Sequence, residues 1–208
     1  MPFYIDKHAQ SSLKAYEYSG TDLSLTYKYL LSPWAQFCVD HFTPLTMAPN
    51  TITFIGLLGM LASYLVMWYY CPNLDEAVDS DSSPPSDNDS IPRWIFLFNG
   101  VMMFFYQTLD NMDGKQARRT ENGTPLGMLF DHGCDAINSP LGSACWACAM
   151  GIGPSSRVVM FATLTSSMIP FYTATWEEYY TGALVLPVIN GPNEGILMGA
   201  ALSVASFL

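Results

Sequence analysis

The chain has 208 residues, of which 50% are hydrophobic and only 12% are charged, a balance that argues against an ordinary soluble domain and favours a membrane protein. Its formal net charge is −10. More than half of that charge comes from the acidic segment 71–92, so the net charge excludes little about the substrate. The five cysteines are odd in number and mostly lie in apolar surroundings, and we expect them to be free buried thiols.

The N-terminal residues 1–50 carry several charges and lack the apolar core of a cleavable signal peptide. The first spanning helix is therefore predicted to act as the targeting signal. Within this region, residues 23–42 mix Leu, Tyr, Trp and Phe with Lys28 and Asp40. This pattern predicts a helix that lies in the membrane interface, is broken near Pro33, and frames the cytosolic rim of a site.

Uncharged runs dominate the rest of the chain. Four of them approach or reach the roughly 20 residues needed to cross a bilayer core, namely residues 51–70, 94–109, 136–156 and 158–176. A fifth begins at Gly195 and runs to Leu208. The predicted fold is all-α, a polytopic transmembrane helix bundle with about five membrane helices in residues 51–208 plus the N-terminal interfacial helix.

The distribution of basic residues predicts the orientation in the membrane. They precede the first helix or occupy the connection between the second and third, at Lys7, Lys14, Lys28, Lys115, Arg118 and Arg119. The positive-inside rule places both regions in the cytosol. Residues 71–92, which contain no Lys or Arg, are then a flexible lumenal loop. Residues 177–190 hold too few apolar residues to cross comfortably and suggest an interfacial or re-entrant piece, with a short spanning helix as the alternative.

Four carboxylates lie at the ends of two apolar segments, at Asp110, Asp113, Asp131 and Asp135. Spacings of three and four residues put each pair on one face of its helix, so two helices can aim all four at one point. An unpaired charge there would cost several kcal/mol. Oxygen ligands without Cys or His suit Mg²⁺, Mn²⁺ or Ca²⁺ rather than zinc. A structural ion-pair network is the alternative. An EF-hand calcium loop is excluded, because its first position must be acidic and Leu109 occupies that position here.

The same segment reads Asp-x-x-Asp-Gly-x-x-Ala-Arg from Asp110, then eight residues, Gly127, three residues, Asp131, three residues and Asp135. It resembles the signature of the CDP-alcohol phosphatidyltransferase family. Residues 27–34, 47–53, 175–179 and 190–195 are in addition similar to the eukaryotic choline/ethanolamine phosphotransferase branch. Members of that branch are considerably longer, so the resemblance implies that this chain is a fragment or a truncated product.

The resemblance implies a membrane transferase that moves phosphocholine or phosphoethanolamine from CDP-choline or CDP-ethanolamine to diacylglycerol, giving phosphatidylcholine or phosphatidylethanolamine and CMP. It implies Mg²⁺ or Mn²⁺ held by Asp110, Asp113 and Asp131, with Asp135 as a ligand, the general base, or both. It further implies CDP-alcohol contacts at Asn50, Gly114, Ala117, Arg118 and Gly127. Small residues would let the nucleotide approach the backbone, and arginine would hold phosphate. At the start of the first helix, Asn50 is also a natural capping residue.

Two roles stay open. His132 lies between two signature aspartates and rivals Asp135 as the base that accepts the diacylglycerol proton, because imidazole groups in general exchange protons near neutral pH. We lean towards His132. Glu177, Glu178 and Glu194 are candidates to attract the cationic head group, with cation–π contacts from Trp176, Tyr179 or Tyr180. These aromatic residues equally suit a membrane-interface belt.

Two other functions compete with the transferase. One is a divalent-cation membrane transporter, which Arg118 argues against because an arginine beside a cation path is unfavourable. The other is an inactive truncated partner of a full-length transferase. We expect a multi-pass protein of the endoplasmic reticulum or Golgi membrane with its active site facing the cytosol and no nucleic-acid partner. The sequence does not decide between choline and ethanolamine, between Mg²⁺ and Mn²⁺, or the oligomeric state, for which a homodimer is one option.

Overall fold

The computed structural model describes residues 6–16, 18–72, 91–152 and 157–208. Helices dominate it, which confirms the all-α prediction. They are α1 (Lys7–Lys14), α2 (Ser32–Phe42), α3 (Pro49–Tyr70), α4 (Trp94–Arg119), α5 (Pro125–Ala149), α6 (Arg157–Thr165), α7 (Met168–Thr181) and α8 (Ile196–Phe207). Two π-helical turns, Tyr27–Leu31 and Gly191–Gly195, precede α2 and α8. Most of the predicted acidic loop, residues 73–90, lies outside the described residues.

Two segments are long and apolar enough to cross a membrane by length and composition, Pro49–Tyr70 and Arg157–Thr181. The first matches the predicted span 51–70. The second contains the predicted span 158–176. A break at residues 166–167 divides it into α6 and α7. Pro170 explains the break, since its ring would collide with the carbonyl four residues earlier in a continuous helix. The Ser167 hydroxyl at the break donates to the Ser139 carbonyl of α5 (3.1 Å).

The helix α4 lies between α3 and α8, and both neighbours run antiparallel to it. A buried polar chain joins the three helices near the N-terminal end of α4. Ser63 of α3 donates to the Asn99 Oδ1 atom (2.8 Å), and the Asn99 amide donates to the Ser203 hydroxyl of α8 (2.8 Å). Because all three side chains are almost fully buried, these bonds replace lost hydration and fix the register of α4 against both partners.

Cysteines contribute to the core at the opposite end of the bundle from the aspartates. Cys145 and Cys148 of α5 pack there with Met67 and Cys71 from the end of α3. All five cysteines of the chain are buried, and none forms a disulfide among the described residues, in agreement with the prediction of buried thiols. Helix α5 also begins earlier than the predicted span 136–156, because Thr124 caps it by accepting a hydrogen bond from the Gly127 N–H (3.0 Å).

The predicted break near Pro33 was wrong. The chain passes from the π-helical turn Tyr27–Leu31 directly into α2, with Pro33 in the first turn of α2. Proline is tolerated in a first turn because the N–H it lacks has no helical partner there. The preceding turn is widened instead, with the Ser32 N–H bonded to the Tyr27 carbonyl five residues earlier.

Residues 182–195 form neither a spanning helix nor a loose loop. Helix α7 ends at Gly182, whose φ of 72° is left-handed and suits glycine. Strand β2 (Leu184–Leu186) follows and pairs in parallel with strand β1 (Gly20–Asp22), with Thr21 opposite Val185. The alternative of a short spanning helix in residues 177–190 is therefore wrong. This short two-stranded sheet ties the N-terminal segment to the connection between α7 and α8.

A close approach of α4 and α8 at Gly100 generates a test of this packing. A Cβ atom at Gly100 would lie 2.9 Å from the Ala200 carbonyl oxygen and 2.8 Å from Val204 Cγ2. Gly100→Ala should therefore lower the thermal unfolding midpoint in detergent, because overpacking costs about 1–3 kcal/mol. Gly142→Ala is the matched control, since its Cβ would meet Met60 at an ordinary 3.6 Å. Equal midpoints for the two variants would contradict the packing.

Candidate active site

The structure brings the four aspartates together where α4 ends and α5 begins. One oxygen each from Asp110, Asp131 and Asp135 lie within 4.8 Å of one another. Asp113 interacts with Asp131 beside them. The predicted convergence of two helical pairs is therefore present in the fold, although the role of each carboxylate stays a prediction.

Two hydroxyl groups hold the outer carboxylates in place. Thr53, in the second turn of α3, donates to Asp113 Oδ2 (2.5 Å). Tyr106, one turn before Asp110 on α4, donates to Asp135 Oδ1 (2.5 Å). Each bond crosses between helices, so α3, α4 and α5 are fixed together at the carboxylates. Hydrogen bonds to a charged acceptor are among the stronger ones.

The donor set fits a divalent cation. Asp131 Oδ1 is buried and has no hydrogen-bond partner among the described residues, an arrangement that leaves it free to ligate. The four carboxylates act on one another by charge repulsion, and no Lys or Arg forms a salt bridge with them within the part of the chain that the structure describes. Carboxylate oxygens grouped in this way are the ligands that Mg²⁺, Mn²⁺ and Ca²⁺ prefer.

A cavity of about 770 Å³ opens onto the carboxylates. Asp110, Asp113 and Asp131 line it, whereas Asp135 is not among the lining residues and lies behind them. Much of the remaining wall comes from the described residues between Tyr16 and Tyr27, the start of α3, the loop 121–124 with the first turn of α5, and strand β2. Arg118 is the only Lys or Arg among the described lining residues.

All five residues predicted to contact a nucleotide line this cavity: Asn50, Gly114, Ala117, Arg118 and Gly127. A Cβ at Gly127 would lie 3.2 Å from Thr124 Oγ1 and 3.3 Å from Asn50 Oδ1, so the wall is tight at this point. The capping role of Asn50 was wrong. Ala48 is the N-cap of α3, and no side chain caps this helix, because Pro49 occupies the first helical position and shifts Asn50 to the second.

His132 also lines the cavity, one residue after Asp131. Its ring meets Phe171 of α7 edge-on, with 6.3 Å between the ring centroids. No hydrogen bond of the ring is found among the described residues, so its nitrogen atoms are available to a substrate. Asp135, the rival base, already accepts the Tyr106 hydrogen bond.

The glutamates predicted to attract a head group lie apart from the lining. Glu194 accepts hydrogen bonds from the Ser24 hydroxyl (2.5 Å) and the Asn190 N–H (2.9 Å). Burial alone would raise the pKa of Glu194, but these hydrogen bonds lower it overall. Glu177 and Glu178 end α7 and are also absent from the lining. Trp176, Tyr179 and Tyr180 are more than half exposed, as expected of residues at a membrane interface.

Sequence reasoning missed several residues of the site. Thr53 belongs to a segment that the resemblance included, yet its bond to Asp113 depends on the pairing of two helices. Tyr106 could have been found, because it lies four residues before Asp110 on the same helical face. Tyr16, Tyr18 and Asp22 had no signal, since they reach the cavity through strand pairing between distant segments.

Comparison with known proteins decides the family. Residues 46–189 match the family model of the CDP-alcohol phosphatidyltransferases. The chain belongs to this family. It is 46% identical over 198 residues to choline/ethanolaminephosphotransferase 1 of Arabidopsis thaliana, covering 94% of this chain and 46% of that protein. It is 42% identical over 199 residues to choline/ethanolaminephosphotransferase 1 of Saccharomyces cerevisiae, covering 94% of this chain and 46% of that protein.

A further relative, an uncharacterized class-I family protein of Dictyostelium discoideum, is 42% identical over 211 residues, covering 100% of this chain and 49% of that protein. The chain thus spans about half the length of the curated relatives it matches. Members of the family are membrane proteins and use divalent metal ions. This confirms the predicted helical membrane architecture and supports a metal at the carboxylate cluster.

The carboxylate geometry predicts opposite effects of Asp131→Asn with and without metal. In EDTA the variant should unfold at the same or a higher temperature than the unmodified chain, because one of four repelling charges is removed. Its affinity for Mn²⁺, measured by electron paramagnetic resonance titration, should fall at least about tenfold, since even an outer-shell change costs about 10–100-fold.

Asp40→Asn, an exposed change on α2, is the matched control and should alter neither quantity. Undiminished Mn²⁺ affinity in Asp131→Asn would refute the assignment of this carboxylate as a ligand.

Proposed function

We propose that the protein is a membrane phosphotransferase that moves phosphocholine or phosphoethanolamine from the CDP-alcohol to diacylglycerol. The observation that carries the proposal is one cavity, lined by three aspartates of a buried carboxylate cluster, by Arg118 and by the small residues of the family signature. A metal ion and an arginine are both groups that bind a dianionic diphosphate well. Two relatives named choline/ethanolaminephosphotransferase support the substrate class.

In this proposal Asp110, Asp113 and Asp131 hold a divalent ion, Mg²⁺ or Mn²⁺, with Asp135 as a further ligand. The bound ion would supply electrostatic stabilisation of the diphosphate charge. Arg118 lies one helical turn beyond Gly114, with its guanidinium 3.6 Å from where a Cβ at Gly114 would stand. It is thus directed over an open stretch of helix where it can hold phosphate bidentately.

The acceptor step needs a base, and the geometry supports His132. The diacylglycerol hydroxyl gives its proton to His132, its oxygen forms the new bond to the phosphorus that carries the alcohol, and the bond from that phosphorus to CMP breaks. His132 lines the cavity without a competing hydrogen bond among the described residues. Asp135 lies behind the lining and is bonded to Tyr106, so a hydroxyl in the cavity reaches His132 first.

We further propose that the protein resides in the endoplasmic reticulum or Golgi membrane with this cavity facing the cytosol. The basic residues Lys115, Arg118 and Arg119 lie at the same end of the bundle as the carboxylates, which the positive-inside rule places in the cytosol. A water-soluble CDP-alcohol would reach the cavity from the cytosol. No observation on the described residues favours a cation transporter or an inactive partner.

A transfer assay tests the function directly. Membranes that contain the chain should form labelled phospholipid from diacylglycerol and radiolabelled CDP-choline or CDP-ethanolamine. EDTA should stop transfer and Mg²⁺ or Mn²⁺ should restore it, while Asp113→Asn should retain less than about a tenth of the rate. Asp40→Asn should behave like the unmodified chain. Chelator-resistant transfer, or no transfer from either donor, would contradict the proposal.

His132→Ala separates the two candidate bases. The variant should lower kcat by about 10²–10⁴-fold, the usual contribution of a general base, and should leave the affinity for CDP unchanged, because the aspartates and Arg118 are untouched. Asp135→Asn needs the same pair of measurements, since it also tests a metal ligand. A near-normal kcat in His132→Ala across neutral pH would assign the base to Asp135 instead.

A further inference from the structure

The N-terminal segment contributes an aromatic wall to the cavity. Tyr16, Tyr18 and Tyr27 all line the same cavity as the signature aspartates. The Tyr18 ring folds back over strand β1. The end of the ring occupies the space where a Cβ at Gly20 would lie. The absence of a side chain at Gly20 is therefore what lets this ring lie along the wall.

This wall is fixed at its base rather than loosely attached. Asp22 Oδ1 accepts from the Ser24 N–H (2.8 Å), and Asp22 Oδ2 accepts from the amide of Asn193 (2.6 Å). Strand β1 pairs with β2 next to these bonds. The Tyr16 hydroxyl donates to the Met128 sulfur of α5, four residues before His132. Contacts with the segment that contains β2 and Asn193, and with α5, therefore hold the tyrosines beside the reacting centre.

The surroundings of the wall are negative. Burial raises the pKa of Tyr18 to about 12, and the charges of Glu178 and Asp131 add to this shift. Tyr18 therefore stays a neutral phenol. Five carboxylates line the same cavity, at Asp22, Asp110, Asp113, Glu121 and Asp131. Arg118 is the only Lys or Arg among the described residues that line it, so the combination of aromatic rings and carboxylates favours a cationic ligand.

We propose that Tyr16 and Tyr18 bind the ammonium head group of the CDP-alcohol by cation–π contact. This assignment rests on the proposed function. A cation over an aromatic face is attracted by the ring even at a partly exposed site, and these two fixed rings, 39% and 52% exposed, offer such a site.

The test compares two ligands that differ by the head group. CDP-choline carries the ammonium group and CDP does not, and both are titrated into the purified chain with Mn²⁺ by calorimetry. Tyr18→Leu should weaken CDP-choline about three- to thirty-fold, the range of a cation–π contact, and leave CDP unchanged. Tyr18→Phe should preserve both affinities because it keeps the ring. Gly20→Ala should reproduce the loss by displacing Tyr18.

Further variants serve as controls. Tyr69→Leu removes an exposed tyrosine at the far end of α3 and should change neither affinity. Retained Mn²⁺ affinity in each variant shows that the fold is intact.

Each other result overturns the assignment in a recognisable way. An equal loss of CDP and CDP-choline in Tyr18→Leu would show that the wall holds the nucleotide. Unchanged affinity for CDP-choline would show that the wall holds neither part. If the unmodified chain binds neither ligand, the proposed function itself fails, and the head-group assignment fails with it.

Discussion

The gathering of four carboxylates at one end of a helical bundle is the constraint around which the rest of the structure is arranged. Like charges this close repel one another, so the helices that carry them must be held by other bonds. The C-terminal end of α4 is held by hydrogen bonds to α2 and the turn that follows α2. Arg119 donates to the Val39 and Thr43 carbonyls (2.7 and 3.0 Å). Gln116 donates to the Pro44 and Met47 carbonyls (3.0 Å each). The amphipathic helix α2 and its following turn thus brace the charged end of α4.

The same helix is fixed at its apolar end by packing rather than by charge. Gly100 lets α8 approach the α4 backbone, and Asn99 bonds to α3 and α8 together. With α4 held at both ends, the register between Thr53 and Asp113 follows from the antiparallel pairing of α3 and α4. A metal site needs ligand positions set within fractions of an ångström, and rigid helices supply this better than loops do.

The parts of the fold that depend on local pattern could be predicted from the sequence. The spacing of Asp110, Asp113, Asp131 and Asp135 on two helices was enough to predict their convergence, because helical periodicity sets which residues share a face. What could not be predicted depends on contacts between distant segments. Strands of three residues such as Gly20–Asp22 and Leu184–Leu186 carry no periodic signal, and their pairing joins opposite ends of the chain. Pro170 is visible in the sequence, but the long apolar run around it favoured one continuous span, so the break before it was not predicted.

The locally patterned helices and the long-range strand pairing would also serve different chemical roles. In the proposed function, the signature residues on α4 and α5 would surround the parts of the substrate that every CDP-alcohol shares, the diphosphate and the nucleotide. The wall of Tyr16 and Tyr18 comes from outside the signature, and its position depends on Asp22, Asn193 and the β1–β2 pairing. If the wall binds the head group as proposed, changes in it would alter which alcohol is accepted while leaving the carboxylates in place. The wall meets α5 through the Tyr16–Met128 contact, but its strand pairing is separate from the bonds that hold the carboxylates. Alcohol selectivity and phosphoryl transfer would then depend on separately held parts of one fold.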